Sequence, residues 1–203
     1  MANTKDKNTE SKILNAAEKI FQTKGMDGAR MQEIADKAGI NKSMLHYYYR
    51  SKQLLFEAVF SKAFSLLAPQ LNAVLNDDSS IEEKIKSFTH NYISFIIKHP
   101  YLPNFIIQEL NRNPEFVKSI SQNSAFPNLE KFKIQVAFEI ENKIIKPIEA
   151  EQLFIHILSL NIFPFVATPL IKAFINVDNK AYKQLLNDRK IAVSEFIINS
   201  IKV

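Results

Sequence analysis

A chain of 203 residues, 46% of them hydrophobic and 23% charged, is long enough to bury one substantial core or two modest ones. The absence of cysteine removes disulfides, thiolate metal sites and cysteine nucleophiles together, and suits a reducing cytoplasm. Three glycines and eight prolines leave too few turn signals for an all-β fold, so the chain reads as all-α; its net charge of +5 is concentrated at one end, where residues 1–62 hold 11 Lys/Arg against 7 Asp/Glu and residues 63–203 hold 15 against 14.

Met1 to Glu10 is polar throughout, without the apolar centre of a secretory signal, and residues 1–9 are expected to form a flexible arm. Ser11 to Lys24 then carries Ile13, Leu14, Ala17, Ile20 and Phe21 on one helical face, with Gly25 as its stop. In the segment from Glu33 to Lys52, EIADKAGINKSMLHYYYRSK, Ile34, Ala35 and Ala38 recur at the spacing of one buried face. Gly39 can take a left-handed conformation and Ile40 plugs the turn. Asn41 is a good N-cap for a second helix, on which Leu45 and Tyr49 fall inward. Lys42, Ser43, Met44, His46, Tyr47 and Tyr48 are left facing outward, and an exposed face of that composition needs a partner. Two short helices joined by a tight turn, the second presenting polar and aromatic side chains, follow the pattern of a DNA-reading helix-turn-helix. Ser51 can cap the next helix, whose Leu54, Leu55, Ala58 and Val59 would pack back on the pair.

From about Glu10 to Phe60 the chain resembles the N-terminal domain of TetR-family transcriptional regulators. An amphipathic helix ending in FQTKG is followed by a match to the pattern IA-x-x-AG-[VI]-x-x-x-x-LY-x-[HY]-F-x-[SN]-K-x-x-L. The family usually has Ser or Thr before its second helix, where Ala29 and Arg30 stand here; the hydroxyl cap is missing and Arg30 is expected to meet phosphate instead. Ser43 replaces a common Gly, Met44 a small residue, His46 the usual Tyr and Tyr49 the usual Phe. The resemblance implies an N-terminal helix-turn-helix domain over residues 1–55 and a helical ligand-binding and dimerisation domain over 56–203. It implies double-stranded operator DNA as partner, with Arg30, Asn41, Lys42, Ser43, Met44, His46, Tyr47, Tyr48 and Lys52 in the contact set. Lys52 is expected at the phosphates, and Lys42 and Met44 within reach of base edges.

Beyond the motif, a helix starting after Ser51 is expected to run past Phe64 towards Leu75, kinked by Pro69, and to link the domains. Ser80 with Glu83 forms a capping box for a helix carrying Ile81, Ile85, Phe88, Tyr92, Phe95 and Ile96, ended by His99 and Pro100. Shorter helices are expected around Asn104 to Asn111, from Pro114 to near Ser121, and from Pro127 to about Ile145. The last two run from Ile148 to about Thr168 and from Asn179 to Ile201. Leu153 to Ile175 is apolar enough to suggest a membrane span, but His156, Asn161, Pro164, Pro169 and Lys172 interrupt it, so a helix buried on most sides is expected and no membrane partner. Such a helix can be covered by a second copy, and the final helix offers a stripe of Tyr182, Leu185, Leu186, Arg189, Val193, Phe196 and Ile197. The family resemblance implies a homodimer through these last two helices, hence paired recognition helices and a palindromic operator.

Ten Phe fall between residues 80 and 170: Phe88, Phe95, Phe105, Phe116, Phe126, Phe132, Phe138, Phe154, Phe163 and Phe165. Most are expected in the core. The resemblance implies a pocket among the middle helices, for which Phe88, Tyr92, Phe105, Phe138, His156 and Asn161 are the candidate lining of a small, largely apolar inducer. The four histidines, His46, His90, His99 and His156, form no metal-ligand pair, and no nucleophile elbow, P-loop or dinucleotide-binding glycine pattern occurs. The reading is a cytoplasmic, ligand-released repressor, with no enzyme activity, cofactor or metal. The alternative is a helical small-molecule carrier that does not bind DNA.

Overall fold

The computed structural model describes residues 3–112, 118 and 128–203; the helix expected at Pro114 to Ser121, the start at Pro127, Phe116 and Phe126 lie outside them. The described residues form ten helices and no strand: α1 (Asn3–Gly28), α2 (Met31–Ala38), α3 (Lys42–Tyr48), α4 (Lys52–Asn76), α5 (Ile81–Lys98), α6 (Leu102–Arg112), α7 (Glu130–Glu141), α8 (Ala150–Val166), α9 (Thr168–Ile175) and α10 (Asn179–Ile201). The fold is all-α. The chain divides into two compact units, Met1–Ser65 and Leu66–Val203, and the division falls inside α4.

In the first unit Ile13, Ala17, Ile20 and Phe21 of α1 are buried with Ile34 and Ala35 of α2, Leu45 of α3, and Leu55, Phe56, Val59 and Phe60 of α4. Phe21 and Phe56 meet edge to face, ring centroids 4.9 Å apart. Each such side chain withdrawn from water contributes roughly 1.5–3 kcal/mol, enough for a small three-helix core closed by the first half of α4. With that half of α4 the compact unit runs to Ser65. Leu54, expected to pack inward, is instead 49% exposed. The α1 helix begins at Asn3, so residues 3–9 are helical rather than an arm. No glycine or proline precedes Ser11 to stop the helix from propagating towards the terminus. Gly25 does break it, with φ 66 and ψ 178.

In the second unit α8 is the hub, packing against α5, α6, α7, α9 and α10, while α5 and α10 make the most extensive helix pair. The capping box at the start of α5 is complete: Ser80 accepts from the Glu83 amide and the Glu83 carboxylate accepts from the Ser80 amide. Buried Glu139 accepts from the Ile81 amide at 2.9 Å, tying α7 to the same end. The α4 helix continues through Pro69 to Asn76, and α7 stops at Glu141, short of Ile145, where Asn142 and the left-handed Lys143 (φ 57) turn the chain.

The apolar run Leu153 to Ile175 is two helices, α8 and α9, bent by 78°. Pro169 has no amide to continue the ladder, and the Thr168 hydroxyl takes the Pro164 and Phe165 carbonyls, both at 2.9 Å. No single helix among the described residues is long and apolar enough to cross a membrane.

Candidate nucleic-acid interface

The helix-turn-helix is built by two caps. Gly39, at φ 69 and ψ 34, ends α2, its amide and that of Ile40 returning to the Asp36 and Ala35 carbonyls at 3.1 and 3.0 Å. Two residues later Asn41, in extended conformation, starts α3, its Oδ1 accepting from the Met44 amide at 2.7 Å. Leu45, wholly buried, anchors α3 from below. A two-turn helix held at both ends and by one apolar plug presents its remaining residues as a fixed surface. Lys42, Ser43, Met44, His46 and Tyr47 are exposed, Tyr47 by 80%, and Tyr48 is half-buried with its ring edge-on to Tyr47 at 5.5 Å.

Tyr49, the C-cap of α3, donates its hydroxyl to the Glu10 carboxylate at 3.1 Å, joining the end of α3 to α1. Burial, then the neighbouring Glu10 charge, pushes the Tyr49 phenol well above its ordinary range. Arg30 is exposed and occupies the N-cap of α2 without a side-chain hydrogen bond, so the first amides of α2 have no side-chain acceptor there. Lys52 is half-buried. Its Nζ donates to the carbonyls of Asp27 and Ala29 at 3.3 and 3.2 Å, leaving one of its three N–H groups for an outside acceptor. The α1–α2 link is thereby tied to the start of α4, a use of Lys52 that spacing alone gives no sign of.

In the second unit the six candidate pocket residues divide. Phe88 and Tyr92 stack at 4.8 Å on α5, and both are buried, as are Phe105 on α6 and Asn161 on α8. Burial pushes the Tyr92 phenol upward. Asn161 donates to the Ile157 carbonyl at 2.7 Å and to Thr89 at 3.3 Å, while its Oδ1 has no partner among the described residues. Thr89 was missed, although the spacing Ile85, Phe88, Thr89, Tyr92 places it on the buried face of α5. Phe138 is 55% exposed and His156 also faces out, so neither joins this group. Phe138 sits on the side of α7 opposite buried Val136, and His156 points off the stripe of α8 that buries Leu153 and Ile157.

The stripe expected to face a second copy needs the same correction. Tyr182, Leu186, Val193 and Ile197 are buried within this chain, on the helix that packs most extensively on α5, and Arg189 donates to the Leu160 carbonyl at 2.5 Å. Burial lowers the guanidinium pKa of Arg189. Of that set Phe196 alone is a large exposed residue; Ile191 is also exposed on α10, as Ile155 and Phe163 are on α8. Among the described residues no group of three or more His, Cys, Asp or Glu is placed to hold a metal ion.

Residues 13–59 match the family model of bacterial regulatory proteins of the tetR family. The chain is 26% identical to YttP of Bacillus subtilis, an HTH-type transcriptional regulator by name, over 64% of this chain and 63% of that protein. It is 29% identical to the HTH-type transcriptional repressor NicS of Pseudomonas putida over 50% of this chain and 48% of that one. The chain thus spans less than two thirds of the length of these curated relatives. Among solved structures, AibR in complex with isovaleryl coenzyme A and operator DNA has the same fold, with a TM-score of 0.60, 16% identity, and 77% of this chain and 85% of that one covered.

Proposed function

We propose that the chain, which residues 13–59 place with the TetR family of bacterial transcriptional regulators, is a cytoplasmic, DNA-binding repressor that sits on a palindromic operator as a homodimer and leaves it on binding a small, largely apolar molecule. The observation that carries the reading is the outward face of α3: Lys42, Ser43, Met44, His46 and Tyr47 exposed on a helix fixed by Asn41 and Leu45. A surface of this size suits a major groove, with Lys42 and Met44 towards base edges. Arg30 with the open first turn of α2, Tyr47, Tyr48 and the spare N–H of Lys52 face the backbone in this reading.

For the inducer, the buried Phe88, Tyr92, Phe105 and Asn161 are the residues of choice, three aromatic rings and one amide oxygen that has no partner among the described residues. AibR, a complex with both operator DNA and isovaleryl coenzyme A, shows that this fold can hold an effector with an apolar acyl end. The α4 helix belongs to both units and is the covalent route between them. A ligand can act along it only by binding one conformational state better than the other.

Selection of random duplex DNA by the purified full-length chain tests the reading. A palindromic consensus is expected, weakened throughout by Tyr48→Ala and altered in base preference by Lys42→Ala. No enrichment by folded, dimeric protein would overturn it in favour of the carrier alternative.

A further inference from the structure

Lys12, Asn15, Ala16 and Lys19 of α1 and Lys37 and Ala38 at the end of α2 line one open cleft of about 180 Å³ in the first unit. Lys12 and Lys19 are seven residues apart, two turns of one helix and so about 10 Å along its axis, and Lys37 reaches the same cleft from α2. Other lysines of this unit are spent internally: Lys24 on Glu33 at 2.6 Å, Lys52 on two carbonyls, Lys62 on Asn15 at 2.7 Å and on Glu18 at 3.6 Å. The ammonium groups of Lys12, Lys19 and Lys37 have no hydrogen bond or ion pair among the described residues. The oxygen of Asn15 is taken by Lys62, so the polar side chains around the cleft have N–H donors left to offer and no carboxylate. Its only other lining residues are Ala16 and Ala38.

Three lysines lining one cleft create a positive potential there, and an anion with several acceptor oxygens relieves it. The cleft is also next to the reading motif along the chain. Ala38 precedes the Gly39 turn, which delivers the chain directly to the N-cap of α3, so the cleft shares Lys37 and Ala38 with the end of α2 that leads into the recognition helix. We infer that the Lys12–Lys19–Lys37 cleft is a phosphate site that grips the backbone of duplex DNA beside the segment read by α3. This rests on the DNA-binding reading above and adds contacts that set register and affinity while carrying no base preference.

The test is the salt dependence of duplex affinity for the full-length chain, followed by anisotropy on the selected operator and on an unrelated duplex. The triple variant K12Q/K19Q/K37Q should lower the slope of log K against log salt by about 2 to 3 on both, since each neutralised phosphate contributes about 0.9. Between about 50 and 200 mM salt it should then lose up to about 40-fold less affinity than the parent. Its base preference should stay unchanged, and K12R/K19R/K37R should keep the parental slope. An unchanged slope in the glutamine variant, with operator binding and melting temperature retained, overturns the cleft while leaving the regulator reading intact. Shifts of the lysine resonances with inorganic phosphate, but no change in slope, would assign the cleft to a free anion and equally overturn it. A parent chain that binds no duplex defeats both readings together.

Discussion

Gly39 and Asn41 set the geometry of the reading surface, and each does so through a single interaction that can be removed cleanly. A Cβ added at Gly39 would meet nothing within 4 Å, so Gly39→Ala isolates the backbone cost of φ 69, about 1–2 kcal/mol. Asn41→Ala removes the acceptor for the Met44 amide, worth about 1 kcal/mol. Hydrogen exchange should therefore show the Met44 amide opening about fivefold faster in Asn41→Ala and close to parental in Asn41→Asp. Equal exchange in all three would mean that α3 is held by Leu45 packing alone. These two positions were legible because left-handed glycine and side-chain capping are local properties, encoded within three residues of where they act. The Lys52 bonds to Asp27 and Ala29 and the Tyr49 bond to Glu10 join residues 23 to 39 positions apart, and no short-range rule points to them.

At the scale of elements, the join of α4 to α5 shows the same division. The Ser80–Glu83 capping box could be read from the sequence and is present. Lys84, one residue on, is 1% exposed, and its Nζ holds the Asp77 carboxylate and carbonyl at 2.5 and 2.6 Å. A lysine in a polar turn gives no sequence signal of burial, because its stem follows apolar neighbours while its head finds the chain end it caps. Burial pushes the Asp77 carboxyl up, but the hydrogen bonds from Lys84 and Ser79 outweigh it and hold the pKa below the ordinary 3.8. A depressed folded value gives stability that is complete above the ordinary carboxylate range and is lost as pH falls through the folded value. Urea midpoints measured downward from pH 5 should fall more steeply in the parent than in Asp77→Asn, the difference opening below about pH 4. Parallel curves would show that the pair carries no acid dependence. At neutral pH, Asp77→Ala should cost about 2 kcal/mol, since it leaves a buried ammonium with one acceptor fewer.

For the whole molecule, the face a second copy would cover depends on what the chain leaves outside, and most of the stripe that periodicity marks on α10 is buried within the chain. Its repeat of Tyr182, Leu186, Val193 and Ile197 is the more apolar face, and the chain uses it internally. A sequence cannot say whether an apolar face is spent within its own fold or on another copy, because both remove it from water equally well. What remains outside is Ile191 and Phe196 on α10, 64% and 65% exposed, with Ile155 and Phe163 on α8 at 53% and 55%. If two copies pair there through the self-complementary patch of a two-fold axis, one substitution acts twice, since each Phe196 meets the partner's surface. Phe196→Glu should then yield monomers by sedimentation at micromolar concentration. Its melting should lose only the share owed to association, because this side chain packs little within its own subunit. Operator affinity should fall by at least tenfold, the second half-site no longer being presented by a linked partner. Val193→Ala, on the buried stripe, should do the reverse, lowering stability by about 2 kcal/mol while leaving a dimer. A Phe196→Glu chain that still sediments as a dimer would move the interface away from α8 and α10 altogether.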